Sequence, residues 1–292
     1  MRQLCLALLL ALACLPAHAD IMVTDVGGVA VRLAAPARRI VSLAPHLTEL
    51  LYAAGAGSRI VGNVEYGDHP PEARAIRKVG AYSRLDLEII VALKPDLVLA
   101  WESGNPAAAV ARLRSMGLTV YVAESHRIED IPVEIERLGR LAGTEAAATA
   151  AATAFRGRLA GLAARYSRQA PVAVFYQIWK QPLMTINDKQ MISDVIRLCG
   201  GRNVFGRLPT LAPTIDVEAV IAANPEAIVA SGMDDARPEW LDDWRRWPTL
   251  AAVARNNLYF IPPELIQRHT PRLLDGAERL CAQLEDVRAK RR

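Results

Sequence analysis

Metal chemistry in this sequence would have to come from four of its five histidines, His46, His69, His126 and His269, which all fall near loops or strand ends, His18 lying in the apolar N-terminal segment. No two of them stand at i, i+4 and no CxxC pair accompanies them, the spacings that converge several donors on one ion. They read as exposed or cleft-lining polar groups, with His46, at the start of the first helix after a strand, the one most worth testing. No metal site is expected. The motifs of covalent and phosphate chemistry are absent as well: there is no GxSxG elbow, no GxxxxGK[ST] loop and no HExxH helix. No residue is assigned a catalytic role, and a hydrolase remains only as the alternative from another functional class.

Two carboxylates stand out by position. Residues 86–100 read DLEIIVALKPDLVLA and residues 216–230 read DVEAVIAANPEAIVA, an ungapped repeat at an offset of 130 in which Asp, Glu, Ala, Pro and Ala recur. Each copy predicts a short helix opened by an aspartate N-cap, Asp86 or Asp216, stopped before proline and followed by a buried strand. An acidic residue in a first helical turn interacts favourably with the helix dipole by ~0.3–1 kcal/mol and needs no partner. That accounts for both aspartates. For Glu88 and Glu218, one in each copy, the pairing adds a second reading: a pseudo-two-fold protein offering one carboxylate per half can address a symmetric partner.

The elements that must position these residues begin after a leader. Residues 1–19 carry one positive charge (Arg2), an apolar run from Leu4 to Leu15 and the small-x-small triplet Ala17-His18-Ala19, which predicts a signal peptide cleaved before Asp20. Lipid attachment at Cys14 is the alternative, against which Ala11 stands where a leucine is expected. No later stretch reaches the roughly 18 apolar residues of a membrane-spanning helix. Cleavage leaves Cys199 and Cys281 in an oxidising compartment, so the count predicts one disulfide, with two separately buried thiols as the alternative. The net charge of +4 drops to +3 with loss of Arg2, and interspersed acidic residues give no reason to expect nucleic acid.

With 52% hydrophobic residues the chain can bury a large core, and its length favours two lobes over one. A second, weaker pair supports the duplication: TELLYAAGAGSRIVG, 48–62, resembles SDVIRLCGGRNVFG, 193–206, each an apolar helix ending at glycine and followed by a strand. Predicted strands of the first lobe are 39–43, 59–63, 97–100 and 119–122. Those of the second are 172–176, 227–230 and 258–261, closed by a helix over about 271–290. Between the copies lies the alanine-rich segment 145–169, with Phe155, Leu159, Leu162 and Tyr166 on one helical face. The expected fold is α/β: two Rossmann-like lobes with mainly parallel sheets joined by one long α-helix. The boundaries are 20–143 for the first lobe, 144–169 for the helix and 170–292 for the second lobe. One rigid connecting helix restricts the lobes to small relative motions.

The segments RRIVSLAPHLTELLYAAGA (38–56), EYGDHPPEA (65–73), LEIIVALKPDLVLAWESGN (87–105) and VIRLCGGRNVF (195–205) resemble the periplasmic cobalamin-binding proteins of the helical-backbone class of ABC importers. The likeness runs through essentially all of the chain after the leader, and the ALKPDLV run is shared across a class that also takes up haem and iron-siderophores. It implies a periplasmic protein, monomeric when free, that carries a corrinoid as transported ligand and not as cofactor. Its macromolecular partner would be a permease dimer with its ATPase subunits. By position, Tyr66, Tyr82 and Trp101 match aromatic cleft residues of the first lobe, and Met184, Ala212 and the stretch from Glu264 to Arg268 match cleft positions of the second. Glu88 and Glu218 match the carboxylates that dock on permease arginines, and Cys199 and Cys281 match the family's disulfide.

A corrin is a broad, flat, partly apolar macrocycle fringed with amides, which suits aromatic walls and scattered polar partners. Tyr66 lies in a loop, where an aromatic serves a binding surface more often than a core. Trp101 follows a buried strand at its C-terminal end, where open α/β sheets place ligands. Tyr82 fits either a cleft wall or the packing of the loop before Asp86. Three positions depart from the family pattern: Tyr82 stands for a tryptophan, Met184 for a phenylalanine and Ala212 for another tryptophan, leaving the second-lobe wall less aromatic. A haem carrier of the same class, with Tyr82 or a histidine as axial ligand, is the runner-up.

Overall fold

The computed structural model describes residues 20–232 and 236–291, so the expected leader lies outside the described residues. The chain enters through β1 (Ile21–Thr24) and β2 (Ala30–Leu33), an antiparallel hairpin whose Val23, Val31 and Leu33 reach the core. The first lobe continues through β3 (Ile40–Ser42), α1 (Pro45–Ala53), β4 (Ile60–Asn63), the small hairpin β5 (Gly80–Ala81) and β6 (Arg84–Leu85), and α2 (Leu87–Ala92). It ends with β7 (Leu97–Trp101), α3 (Ala107–Ser115), β8 (Val120–Ala123) and α4 (Asp130–Ala142). The long helix α5 (Glu145–Tyr166) leads to the second lobe: β9 (Val172–Gln177), α6 (Met191–Leu198), β10 (Gly201–Asn203), α7 (Val217–Ala223) and β11 (Ala227–Ala230). After these come α8 (Ala251–Ala254), β12 (Leu258–Phe260), α9 (Pro263–Ile266) and α10 (Leu273–Ala289).

Both four-stranded sheets are parallel throughout. Their orders, β4-β3-β7-β8 and β10-β9-β11-β12, are the same 2-1-3-4 arrangement, so the sequence repeat reappears as a repeated topology. The repeated aspartates cap as expected: Ile89 N donates to Asp86 Oδ1 at 3.0 Å and Ala219 N to Asp216 Oδ1 at 2.7 Å. The strands predicted from sequence are all present. The hairpins β1-β2 and β5-β6 are additions, because segments of two to four residues are too short for alternation to stand out.

The lobes do not keep separate cores. The inner faces of both sheets, with α1, α4, α5, α6 and α10, form one continuous apolar cluster that runs from Leu47 and Leu99 through Phe155 to Val174 and Leu280. Each sheet's outer face has its own smaller cluster, around Val98 in the first lobe and Phe175 in the second. What fuses the halves is α5, whose 22 residues extend about 33 Å and bury Ala148, Ala152, Phe155, Leu162 and Tyr166. Its alanines let α4 approach closely, and a Cβ on Gly139 would overlap Ala148. Cys199, at the end of α6, is bonded to Cys281 in α10 across a separation of 82 residues, worth on the order of 4 kcal/mol by chain entropy.

Strand β8, which ends at the cleft, is fixed to α4 by a buried contact in which Tyr121 Oη donates to Glu134 Oε2 at 3.1 Å. Burial pushes the Glu134 carboxyl up to about 7, against the opposing pull of the Tyr121 hydrogen bond and Arg137. A carboxyl whose folded pKa is raised binds its proton more tightly in the native state, so its contribution is complete below about pH 4.5 and is lost as pH rises through 7. Unfolding free energy in urea should therefore fall by about 3 kcal/mol between those limits on account of this residue. Glu134→Gln should flatten that slope, and an unaltered slope would show that Glu134 titrates normally.

Candidate ligand-binding cleft

The chain leaves β3 at Ser42 and enters α1 through Pro45 and His46, while the neighbouring strand β7 ends at Trp101. These adjacent strands lead to helices on either side of the point where strand order reverses, the position at which parallel α/β sheets open a crevice. The second lobe repeats the arrangement, with Ile178 and Trp179 following β9 and Gly232 following β11. The two crevices face each other and form one cleft of about 700 Å³, within the range of small-molecule sites.

Trp101 is held by several neighbours. Its indole Nε1 donates to Glu124 Oε1 at 3.2 Å, and Ser103 N donates to the other oxygen of that carboxylate at 3.0 Å. Buried Asn105 accepts from Trp101 N at 2.6 Å and donates to Leu43 O and Tyr82 O at 2.9 and 2.8 Å, tying the two strand ends to the β5-β6 turn. A Cβ on Gly104 would overlap the Trp101 ring, so only glycine leaves room for it there. Tyr82 leans on Trp101 with ring centroids 5.6 Å apart, and His46 meets it edge-on at 5.0 Å.

The opposite wall is built from the segment after β9. Ile178 N donates to Met184 O and Met184 N to Trp179 O at 3.1 and 3.2 Å, and the Trp179 indole is pinned by donating to Gln181 O at 2.9 Å. Ile178, Trp179, Met184, Leu211 and Ala212 present an apolar surface to the cleft. His269, just past α9, lines the cleft with its ring centroid 6.1 Å from that of His46. Burial, with His269 and Arg268 nearby, holds His46 down at about 3, and burial lowers His269 as well.

At one end of the cleft the lobes are joined by charge. Arg268 Nη1 donates to Glu49 Oε1 at 2.8 Å, and Arg272 donates through Nε to Oε2 at 3.0 Å and through Nη2 to Oε1 at 2.9 Å. Glu49 belongs to α1 of the first lobe and both arginines to the second. The Glu49 side chain is only 4% exposed, and Arg268 and Arg272 are 22% and 21% exposed. Arg268 also donates to Tyr66 O at 3.2 Å.

The structure brings Tyr82, Trp101, Met184, Ala212 and Arg268 together on the cleft. It leaves two positions out of the lining. Tyr66 has a left-handed φ of 63° and a side chain that is largely in solvent, 70% exposed, so only its carbonyl meets the cleft residue Arg268. Glu264 sits in the first turn of α9, where its charge acts on Arg272. Glu88 and Glu218 are exposed in the first turns of α2 and α7, outside the cleft. Trp179, Glu124 and Glu49 were not anticipated from the sequence. Trp179 carried a usable signal, since it follows a predicted strand just as Trp101 does.

Three comparisons bear on this arrangement. The family model for periplasmic binding protein matches residues 40–265. The chain is 36% identical over 251 residues to the vitamin B12-binding protein of Vibrio cholerae serotype O1, covering 86% of this chain and 90% of that one. Its structure is similar to the crystal structure of the periplasmic vitamin B12 binding protein BtuF of Vibrio cholerae, with a TM-score of 0.80, 35% identity and coverage of 87% and 98%. The apo form of the periplasmic heme-binding protein RhuT from Roseiflexus sp. RS-1 matches with a TM-score of 0.74 over 86% and 98%, a likeness of fold alone at 21% identity.

Truncating Glu49 leaves two guanidinium groups without their shared partner in a mostly buried seam. Glu49→Ala should lower unfolding free energy by about 3 kcal/mol in a denaturant titration. A loss below about 0.5 kcal/mol would place the cluster among ordinary surface pairs.

Proposed function

Because this chain belongs to the periplasmic binding protein family, we propose that it is a solute-binding protein that captures cobalamin or a related corrinoid in the inter-lobe cleft and hands it to an ABC importer. The observation that carries the reading is the pairing of walls: Tyr82 and Trp101 on one side and Trp179, Ile178 and Met184 on the other, at facing strand ends. A flat macrocycle gains most from two apolar planes that cover both of its faces, and its amide fringe needs polar groups only at the edges. Arg268, Gln267, Glu102 and Lys189 supply polar positions around those walls. The relatives at 36% and 35% identity are named for vitamin B12, whereas the haem-binding structure matches at only 21%, which supports a corrinoid over haem.

Trp179 offsets part of the aromatic surface that Met184 and Ala212 lack. Aromatic ring contacts are frequent hot spots, and before any ligand arrives the Trp101 indole is held by Glu124, its backbone N by Asn105, with Gly104 leaving room for the ring. Pre-positioning of this kind reduces the ordering that binding must impose. The work of the cleft is to bind and release. We assign Glu88 and Glu218 to docking: they are exposed, equivalent in the two lobes and displaced from the cleft, as contact with a two-fold permease requires. The periplasm is the compartment of this activity.

Isothermal titration with cyanocobalamin, cobinamide and hemin tests the ligand. Corrinoid binding at one per chain is expected, with Trp101→Ala weakening it about 30-fold. A tight hemin complex with no corrinoid binding would assign the cleft to haem instead. The docking assignment is tested with the importer reconstituted in proteoliposomes. Reversing both carboxylates, Glu88→Arg with Glu218→Arg, should leave corrinoid affinity unchanged and abolish stimulation of transporter ATPase; full stimulation by the double variant would end it.

A further inference from the structure

We propose that each lobe presents the permease with a two-part contact, the docking carboxylate and an aliphatic side chain one helical turn after it: Val91 beside Glu88 and Ile221 beside Glu218. The proposal rests on the docking assignment above and adds what the membrane partner must offer, an apolar recess next to each of two cations related by a two-fold axis. Val91 and Ile221 stand at the repeat offset of 130, in α2 and α7. They are 40% and 38% exposed, and of the large apolar side chains exposed among the described residues they are the only two that the repeat relates. The likeness extends to the surface around them. From 86 to 94 and from 216 to 224, buried, half-buried and exposed positions follow in the same order, and both copies turn left-handed at the same place, Lys94 with φ 47° and Asn224 with φ 41°.

Neither the core nor the helix accounts for these two side chains. The inward faces of α2 and α7 are filled by Ile90 and Val220, both fully buried, with Leu87 and Val217 packed beside them on the outer-face clusters. Glu88 and Val91, three residues apart, share an exposed face, as do Glu218 and Ile221. β-Branched residues are also poorer helix formers than alanine, because their χ1 freedom is lost against the preceding turn. A single exposed aliphatic residue needs no explanation. A β-branched one beside the same carboxylate on both lobes does. An ion pair between exposed groups is screened by salt and worth little. An aliphatic side chain that seats in the partner beside it excludes water from the pair and adds burial that salt does not screen.

The test measures association of the full chain with the importer reconstituted in proteoliposomes, at about 0.05 and about 0.5 M salt. Val91→Ala with Ile221→Ala should weaken association about tenfold or more at both salt concentrations, with the single variants contributing comparable shares and corrinoid affinity unchanged. Alanine favours the helix, so the variants keep their fold. Met116→Ala, which truncates a similarly exposed apolar residue just after α3, should change nothing. Undiminished association of the double alanine variant, where Glu88→Arg with Glu218→Arg abolishes it, would overturn the apolar seats and leave the docking carboxylates standing. A loss confined to one lobe, or one that Met116→Ala reproduces, would overturn the matched contact. If neither pair of substitutions affects association, the docking assignment itself falls.

Discussion

The width of the cleft depends on holding two lobes at one angle, and at one end of the cleft the carboxylate of Glu49, gripped by Arg268 and Arg272, holds them there. A carboxylate this buried is tolerated only where charge-assisted hydrogen bonds saturate it, and two guanidinium forks supply that number of donors. The same contact orders Arg268, which faces the cleft, and draws in the carbonyl of Tyr66. Cleft wall and inter-lobe seam therefore share a residue. Lobe angle and ligand surface are set by one cluster of charges, backed along the molecule by α5 and the apolar core it threads.

Duplication explains why this economy is available. Each lobe brings the same strand order, so each opens a crevice at the same point, and facing the two crevices produces a cavity walled by strand ends rather than by long loops. Side chains at strand ends inherit the rigidity of the sheet. Trp101 closes β7, Glu124 directly follows β8, and the hydrogen bond between them crosses from one strand to its neighbour. The exposed carboxylates of α2 and α7 are related by the same repeat, each in the first turn of its helix.

Much of this was legible in the sequence because it follows from local rules. The aspartate caps, the prolines after α2 and α7, the aliphatic strands and the alanine-rich helix act over a few residues, and each appears where those residues place it. Position in the repeat pointed to Trp101, and family likeness to Tyr82, Met184, Ala212 and Arg268. Residues whose surroundings are assembled from distant segments were not legible. Glu49 reads as one more charge on an amphipathic helix until Arg268, 219 residues later, folds against it. Tyr66 turns outward because its own backbone is left-handed, a property that the residue type does not announce.

The central claim is that a flat macrocycle lies between the two apolar walls of this cleft. A crystal structure of the protein grown with cyanocobalamin measures it directly. The account predicts corrin density between Trp101 and the Trp179–Met184 wall, with the Glu49 contacts to Arg268 and Arg272 intact. A corrinoid bound anywhere else on the molecule, or a cleft that stays empty at saturating ligand, would contradict it.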